Sequence, residues 1–150
     1  MPGAYFVTLV AKGREPLFGE LMGEEIRLND TGKIVIDEWL RTGQLRPEIS
    51  LDEFVVMPDH FHAILFLHEA PAIGEPLGAH RGAPLRRQPR SLGAIMAGFK
   101  SKCSQRAKES LWQRNYYDRI IRNEEEFNQT REYILYNPLL LSPKSGELWK

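Results

Sequence analysis

The sequence predicts an α+β protein built as a ferredoxin-like sandwich, an antiparallel β-sheet with helices on one face and one further C-terminal helix. Three observations carry that prediction. Segments rich in β-branched and aromatic residues recur at 4–11, 51–57, 60–67 and 116–121. Two segments of helical periodicity, 30–42 and 91–108, are interleaved with them in the order β–α–β–β–α–β. A third helical segment, starting after Asn123, follows the last strand. At 150 residues the chain fits one domain, 1–150, with a core large enough to dispense with disulfides or structural metal.

Each element has a local cause. Residues 4–11 read AYFVTLVA, a central strand closed by Gly13 and Pro16. Weaker strand-like pieces around Gly19 and Gly23, within 17–28, predict a small hairpin. Asn29, Asp30 and Thr31 offer capping side chains; Ile34, Val35, Trp39 and Leu40 then recur at helical spacing, predicting a helix over 30–42 that ends near Gly43. Residues 51–57 and 60–67, split by the turn pair Pro58-Asp59, read as hairpin strands, with Phe61 on the face opposite His60 and His62. Residues 69–90 contain Pro71, Pro76, Pro84 and Pro89 and no apolar period, predicting a long flexible basic loop within the domain. Ser91 caps a helix to about Lys108, with Leu92, Ile95, Met96 and Phe99 on its apolar face and Lys100, Lys102, Arg106 and Lys108 opposite. Asn123 caps Glu124-Glu125-Glu126, three acids where the helix dipole favours them, and the last helix stops at Asn137-Pro138.

Composition excludes several classes. A single cysteine, Cys103, rules out an internal disulfide framework and a cysteine-rich zinc site. The longest apolar stretch, near 63–67, is too short to cross a bilayer, and the N-terminus lacks the basic segment of a signal peptide. From composition the expectation is a soluble, cytoplasmic protein with no membrane partner. Neither a G-x-x-x-x-G-K-[ST] loop nor a G-x-G-x-x-G turn occurs. Net charge is zero, yet residues 1–75 carry −7, residues 76–108 carry +8 without one acid, and residues 109–150 carry −1. An acid-free basic block of this kind suits a polyanion, because each neutralised phosphate releases a counterion. Its candidate DNA contacts are Arg86, Arg87, Arg90, Lys100, Lys102 and Arg106. The same block is equally readable as a solvated loop running into an ordinary helix surface.

Two residues apart on a strand, His60 and His62 share a face and could share a divalent cation. A partly exposed histidine pair on a sheet face is the alternative. Tyr133 and Asn137, four apart on the last helix, project together. The Asn137 amide oxygen could complete a hard three-ligand site for Mg²⁺ or Mn²⁺, with Tyr133 beside it as a nucleophile toward phosphate. Against this stands a core-facing Tyr133 with Asn137 as a helix cap before Pro138. Tyr116 and Tyr117 adjoin, so strand alternation buries one and exposes the other; these and Trp112 could stack on bases or pack.

The run Met57-Pro58-Asp59-His60-Phe61-His62, the stretch Leu111-Trp112-Gln113-Arg114-Asn115-Tyr116-Tyr117 through Ile120-Ile121-Arg122, and Glu132-Tyr133-Ile134-Leu135-Tyr136-Asn137-Pro138 together resemble the REP-associated tyrosine transposases, which belong to the single-tyrosine HUH transposases. Ala4-Tyr5-Phe6-Val7-Thr8, Leu28-Asn29-Asp30-Thr31-Gly32, Ser91-Leu92-Gly93 and Phe99-Lys100-Ser101 extend the resemblance, in order, along nearly the whole chain. It implies the same ferredoxin-like fold. It maps the paired metal ligands to His60 and His62, the third ligand to Asn137 and the nucleophile to Tyr133 on the C-terminal helix. Members nick single-stranded DNA through a covalent 5′-phosphotyrosine and free a 3′-OH that can rejoin; the REP-associated branch acts on palindromes that fold into hairpins. The expected partner is therefore single-stranded or hairpin DNA, with a monomer or homodimer as the working form. A domesticated, noncatalytic hairpin-binding protein is the alternative, and a phosphodiester hydrolase using water a third reading. Asp59 stands where the family more often has Asn, and some relatives extend further at both ends, so terminal DNA-binding elements could be missing.

Overall fold

In a computed structural model, residues 3–68 and 91–136 are described. The expected basic loop at 69–90, with Arg86, Arg87 and Arg90, lies outside the described residues, as does Asn137. In chain order the elements are β1 (Gly3–Val10), a 3₁₀ turn (Lys12–Arg14), β2 (Gly19–Met22), β3 (Glu25–Leu28), α1 (Asp30–Leu45), β4 (Ile49–Met57), β5 (His60–Leu67), α2 (Leu92–Ala107), β6 (Tyr117–Ile121) and α3 (Glu124–Tyr136). Four strands form one sheet in the order β4-β5-β1-β6, every neighbouring pair antiparallel. The expected β–α–β–β–α–β sandwich is thus the fold observed, and β2–β3 form the separate small hairpin.

Local chemistry sets the boundaries. Asn29 caps α1, its Oδ1 accepting from the Gly32 amide at 2.9 Å, and Ser91 caps α2 through the Ala94 amide at 3.1 Å. Asn123 does the same for α3, accepting from the Glu126 amide at 2.9 Å. The tight β2–β3 turn needs Gly23, whose φ is +68°. Helix α1 runs past Gly43 to Leu45, two residues beyond the point where the sequence reading would end it. Gly43 does not stop the helix; a Cβ there would come within 2.6 Å of the Leu51 side chain, so the missing side chain lets α1 lie close on β4. Strand β4 starts two residues earlier than expected because Ile49 and Ser50 pair with Leu67 and Phe66. A bulge follows between Leu51 and Phe54 and carries Asp52 and Glu53.

Strand alternation divides the buried residues into two clusters. On one face Val7, Leu9, Phe61, Ala63 and Leu65 of the sheet meet Val35 and Trp39 of α1 and Ile95, Met96, Phe99 and Cys103 of α2. Trp39 lies edge-on to Phe61 at 5.3 Å and to Phe99 at 5.0 Å between ring centroids. On the other face Ala4, Ile64 and Ile121 meet Ile134 of α3, with Phe6, Phe66 and Phe127 packed around them. Helices α1 and α2 therefore share one face, as expected, and among the described elements α3 covers the other. Among the described residues no helix is long and apolar enough to cross a membrane.

Candidate active site

The face under α3 carries the polar residues. In register, Thr8 of β1 pairs with His62 of β5 and Val10 with His60, which sets both imidazoles on the α3 side near the end of the central strand. Both rings are buried, at 0% and 2% exposure, and their centroids lie 4.6 Å apart. Each Nδ1 has an oxygen at 2.8 Å: Asp59 Oδ1 for His60 and Thr8 Oγ1 for His62. A carboxylate only accepts, so the His60 Nδ1–H donates to Asp59. That fixes the tautomer and makes Nε2 the nitrogen with a lone pair to offer a cation, the arrangement in which an outer carboxylate orients a ligating histidine. Burial, and secondarily the neighbouring His60, hold the pKa of His62 well below its ordinary value, so the ring is neutral and ligand-competent at neutral pH.

Tyr133 reaches this pair from α3. Its ring centroid is 5.5 Å from that of His62, and its hydroxyl is shielded from solvent, as is Nε2 of each histidine. Phe6 sits between sheet and helix: it stacks on His62 at 5.2 Å with an interplanar angle of 25° and meets Tyr133 in a T-shaped contact at 6.1 Å. The helix is tied down at its middle by Arg131, whose Nε lies 3.1 Å from Asp52 and Nη2 3.5 Å from Glu53, both on the β4 bulge. Tyr133 is thus neither a remote surface residue nor a pure core residue; the fold brings it to the histidine pair.

His60 and His62 are chemically suited to share a divalent cation, being imidazoles on one face whose Nδ1 atoms are each held by a hydrogen bond. Among the described residues no group of three or more His, Cys, Asp or Glu side chains could hold a metal. The third ligand expected from the sequence, Asn137, is the next residue after the described end of α3.

The expected DNA contacts divide. Lys100 Nζ donates to the carbonyls of Gln113 and Arg114 at 3.1 and 3.0 Å, so it fastens the segment leading into β6. Arg106 Nη1 pairs with Asp37 at 2.6 Å and Glu38 at 2.8 Å, linking α2 to α1. Both have structural work within the fold. Lys102 is exposed and lines, with Arg41, Arg46 and Gly98, a cleft of about 390 Å³ on the α1–α2 face, across the sheet from the histidines. Trp112 packs into the core against Phe18 and Phe99. Of the adjacent tyrosines, Tyr116 is half-buried and Tyr117 is 61% exposed, as alternation requires.

Sequence reasoning missed Thr8, Phe6 and Arg131 as parts of the site. Thr8 carried a signal, a small hydroxyl side chain set between Val7 and Leu9 in a largely apolar strand. Phe6 and Arg131 carried none until the register and the bulge were known.

No protein-family model matches the chain. An uncharacterised protein of Haemophilus influenzae is 35% identical over 146 residues, covering 92% of this chain and 81% of that one. This chain belongs to the same family. Among solved structures, a REP-associated tyrosine transposase bound to a REP hairpin superposes with a TM-score of 0.65 at 18% identity, over 92% of this chain and 67% of its own. That likeness establishes a shared fold, the four-stranded antiparallel sheet with its three helices.

Proposed function

We propose that the chain is a metal-dependent endonuclease and strand transferase for single-stranded hairpin DNA, acting through a covalent 5′-phosphotyrosine on Tyr133. The observation that carries this reading is the approach of the Tyr133 ring to His62, 5.5 Å between ring centroids. The fold shared with a transposase bound to a REP hairpin supports the DNA class, and the acid-free block at 76–108 supports a polyanion.

His60, His62 and Asn137 would hold Mg²⁺ or Mn²⁺, which supplies Lewis-acid polarisation of the phosphate when bound. Asp59 accepts from His60 Nδ1–H and keeps that imidazole in the tautomer that presents Nε2, while Thr8 holds the His62 ring through its Nδ1. Phe6 orients the Tyr133 ring against His62. The phenol oxygen attacks phosphorus, the bond from phosphorus to the 3′-oxygen breaks, and the phenol proton ends on that 3′-oxygen. The products are a 5′-phosphotyrosine and a free 3′-OH. One phosphodiester replaces another, so no nucleotide cofactor is needed, consistent with a sequence that has no phosphate loop. Reversal by an incoming 3′-OH rejoins DNA.

The full chain incubated with Mn²⁺ and labelled hairpin oligonucleotides should give an adduct stable in denaturing gels, and Tyr133→Phe should abolish it. An adduct that persists in Tyr133→Phe, or one linked by mass spectrometry to another side chain, refutes the assignment. Hairpin binding without any adduct returns the noncatalytic reading.

A further inference from the structure

The described arginines on the helices are neutralised, Arg41 and Arg106 by acids of α1 and Arg131 by Asp52 and Glu53, as is Arg46 at the end of α1 by Glu48. Arg119 differs. It projects from β6 opposite Phe6 in the sheet register, on the face that carries His62. Its guanidinium carbon lies 5.3 Å from the centroid of the Phe6 ring, the same ring that stacks on His62 and makes a T-shaped contact with Tyr133. Among the described residues no carboxylate comes within ion-pair distance of it, and the hydrogen bond it makes is a long one, Nη2 donating to Thr130 Oγ1 at 3.4 Å. Thr130 in turn donates to the Glu126 carbonyl at 2.8 Å and sits one turn before Tyr133 on α3. A guanidinium presents five N–H groups in a rigid fork matched to phosphate oxygens. Here that fork is exposed, held over the same aromatic ring that touches Tyr133, and among the described residues it has no carboxylate partner.

We infer that Arg119 is a catalytic residue that grips the non-bridging oxygens of the phosphate Tyr133 attacks. This rests on the nicking reading above and assigns a substrate contact within it. The DNA strand then crosses the outer edge of β6, where Tyr117, two residues away on the same face and 61% exposed, flanks the path. The contact is charge-assisted and bidentate, and it strengthens as negative charge concentrates on the phosphoryl oxygens during attack.

The test is single-turnover adduct formation by the full chain, with Mn²⁺ and saturating hairpin DNA, for the unaltered protein, Arg119→Ala and Arg119→Lys. Each is paired with an oligonucleotide whose scissile phosphate is either normal or a neutral methylphosphonate. Arg119→Ala should slow adduct formation ~10–100-fold, the worth of a charge-assisted hydrogen-bond pair, with hairpin affinity changed less than ~3-fold because the other phosphate contacts carry binding. Arg119→Lys should recover part of the rate. The methylphosphonate should cost the unaltered protein much more than it costs Arg119→Ala, because the charge it removes has already lost its partner. If Arg119 merely braces α3 through Thr130, the two losses multiply and Thr130→Val reproduces the Arg119→Ala defect; either result overturns the inference. A normal rate in Arg119→Ala overturns it while leaving the nicking reading intact. No adduct from the unaltered protein refutes both.

Discussion

The two faces of the same sheet do different jobs. Toward α1 and α2 the strands present Val7, Leu9, Phe61, Ala63 and Leu65 to two helices, and charges at the rim are paired, as Arg106 is with Asp37 and Glu38. Toward α3 they present Thr8, His60 and His62 beside a smaller apolar cluster of Ala4, Ile64, Ile121 and Ile134. Buried polar groups on that side lower stability unless satisfied, and Asp59 and Thr8 satisfy one nitrogen of each ring. A two-residue period in β5 is enough to separate the roles: Phe61 anchors one face while its neighbours His60 and His62 furnish the other. The larger apolar cluster thus lies on the face away from the histidine pair, and the smaller one shares its face with the buried polar groups.

That division predicts unequal consequences. The largest belongs to the apolar face. Trp39 is fully buried and packs edge-on against Phe61 and Phe99, so Trp39→Ala should cost ~3–5 kcal/mol of unfolding free energy in denaturant titrations. The protein that remains folded should keep its Mn²⁺ affinity, since His60 and His62 lie across the sheet. Loss of metal binding in proportion to stability would mean the faces are not separable. Next in size is Asp59→Ala, which removes the acceptor from His60 Nδ1. Mn²⁺ affinity should fall ~10–100-fold, as for other outer partners of ligating histidines, with Asp59→Asn falling less because its amide oxygen still accepts. Calorimetric titration checks both, and an unchanged affinity would remove Asp59 from the site.

The elements were legible because local chemistry dictated them: caps at Asn29, Ser91 and Asn123, alternation in β5, and Gly23 in the hairpin turn. Gly43 misled because a glycine can end a helix or admit a close neighbour, and only the position of Leu51 tells which. The same limit applies to charge. Counting signs along the chain groups Lys100 and Arg106 with the basic block, but their partners, the Gln113 and Arg114 carbonyls and the α1 acids, are distant in sequence. Arg119 shows the converse: it stands outside the +8 block, and its place on the α3 face emerges only when register sets it over Phe6. The histidine pair and Tyr133 were readable as candidates from spacing; their meeting depended on α3 folding back over the sheet.

The smallest predicted effect probes the cost of burying a histidine on the α3 face. His62 is held below its ordinary pKa of 6.5 first by burial and then by repulsion from His60. Above that ordinary value both folded and unfolded chains carry a neutral ring, and the residue adds no pH dependence. As pH falls below 6.5, the unfolded chain takes up a proton that the folded chain refuses, so acid favours unfolding until the lowered folded value is reached. One proton sets the ceiling, ~1.4 kcal/mol per pH unit. Urea titrations of the chelator-treated protein from neutral to mildly acidic pH should therefore show stability falling on acidification, and His62→Gln should flatten that slope. His60→Gln should flatten it less, because it removes the secondary cause and leaves His62 buried. A slope unaffected by His62→Gln would place the acid sensitivity elsewhere and show that the buried imidazole takes its proton without opening the fold.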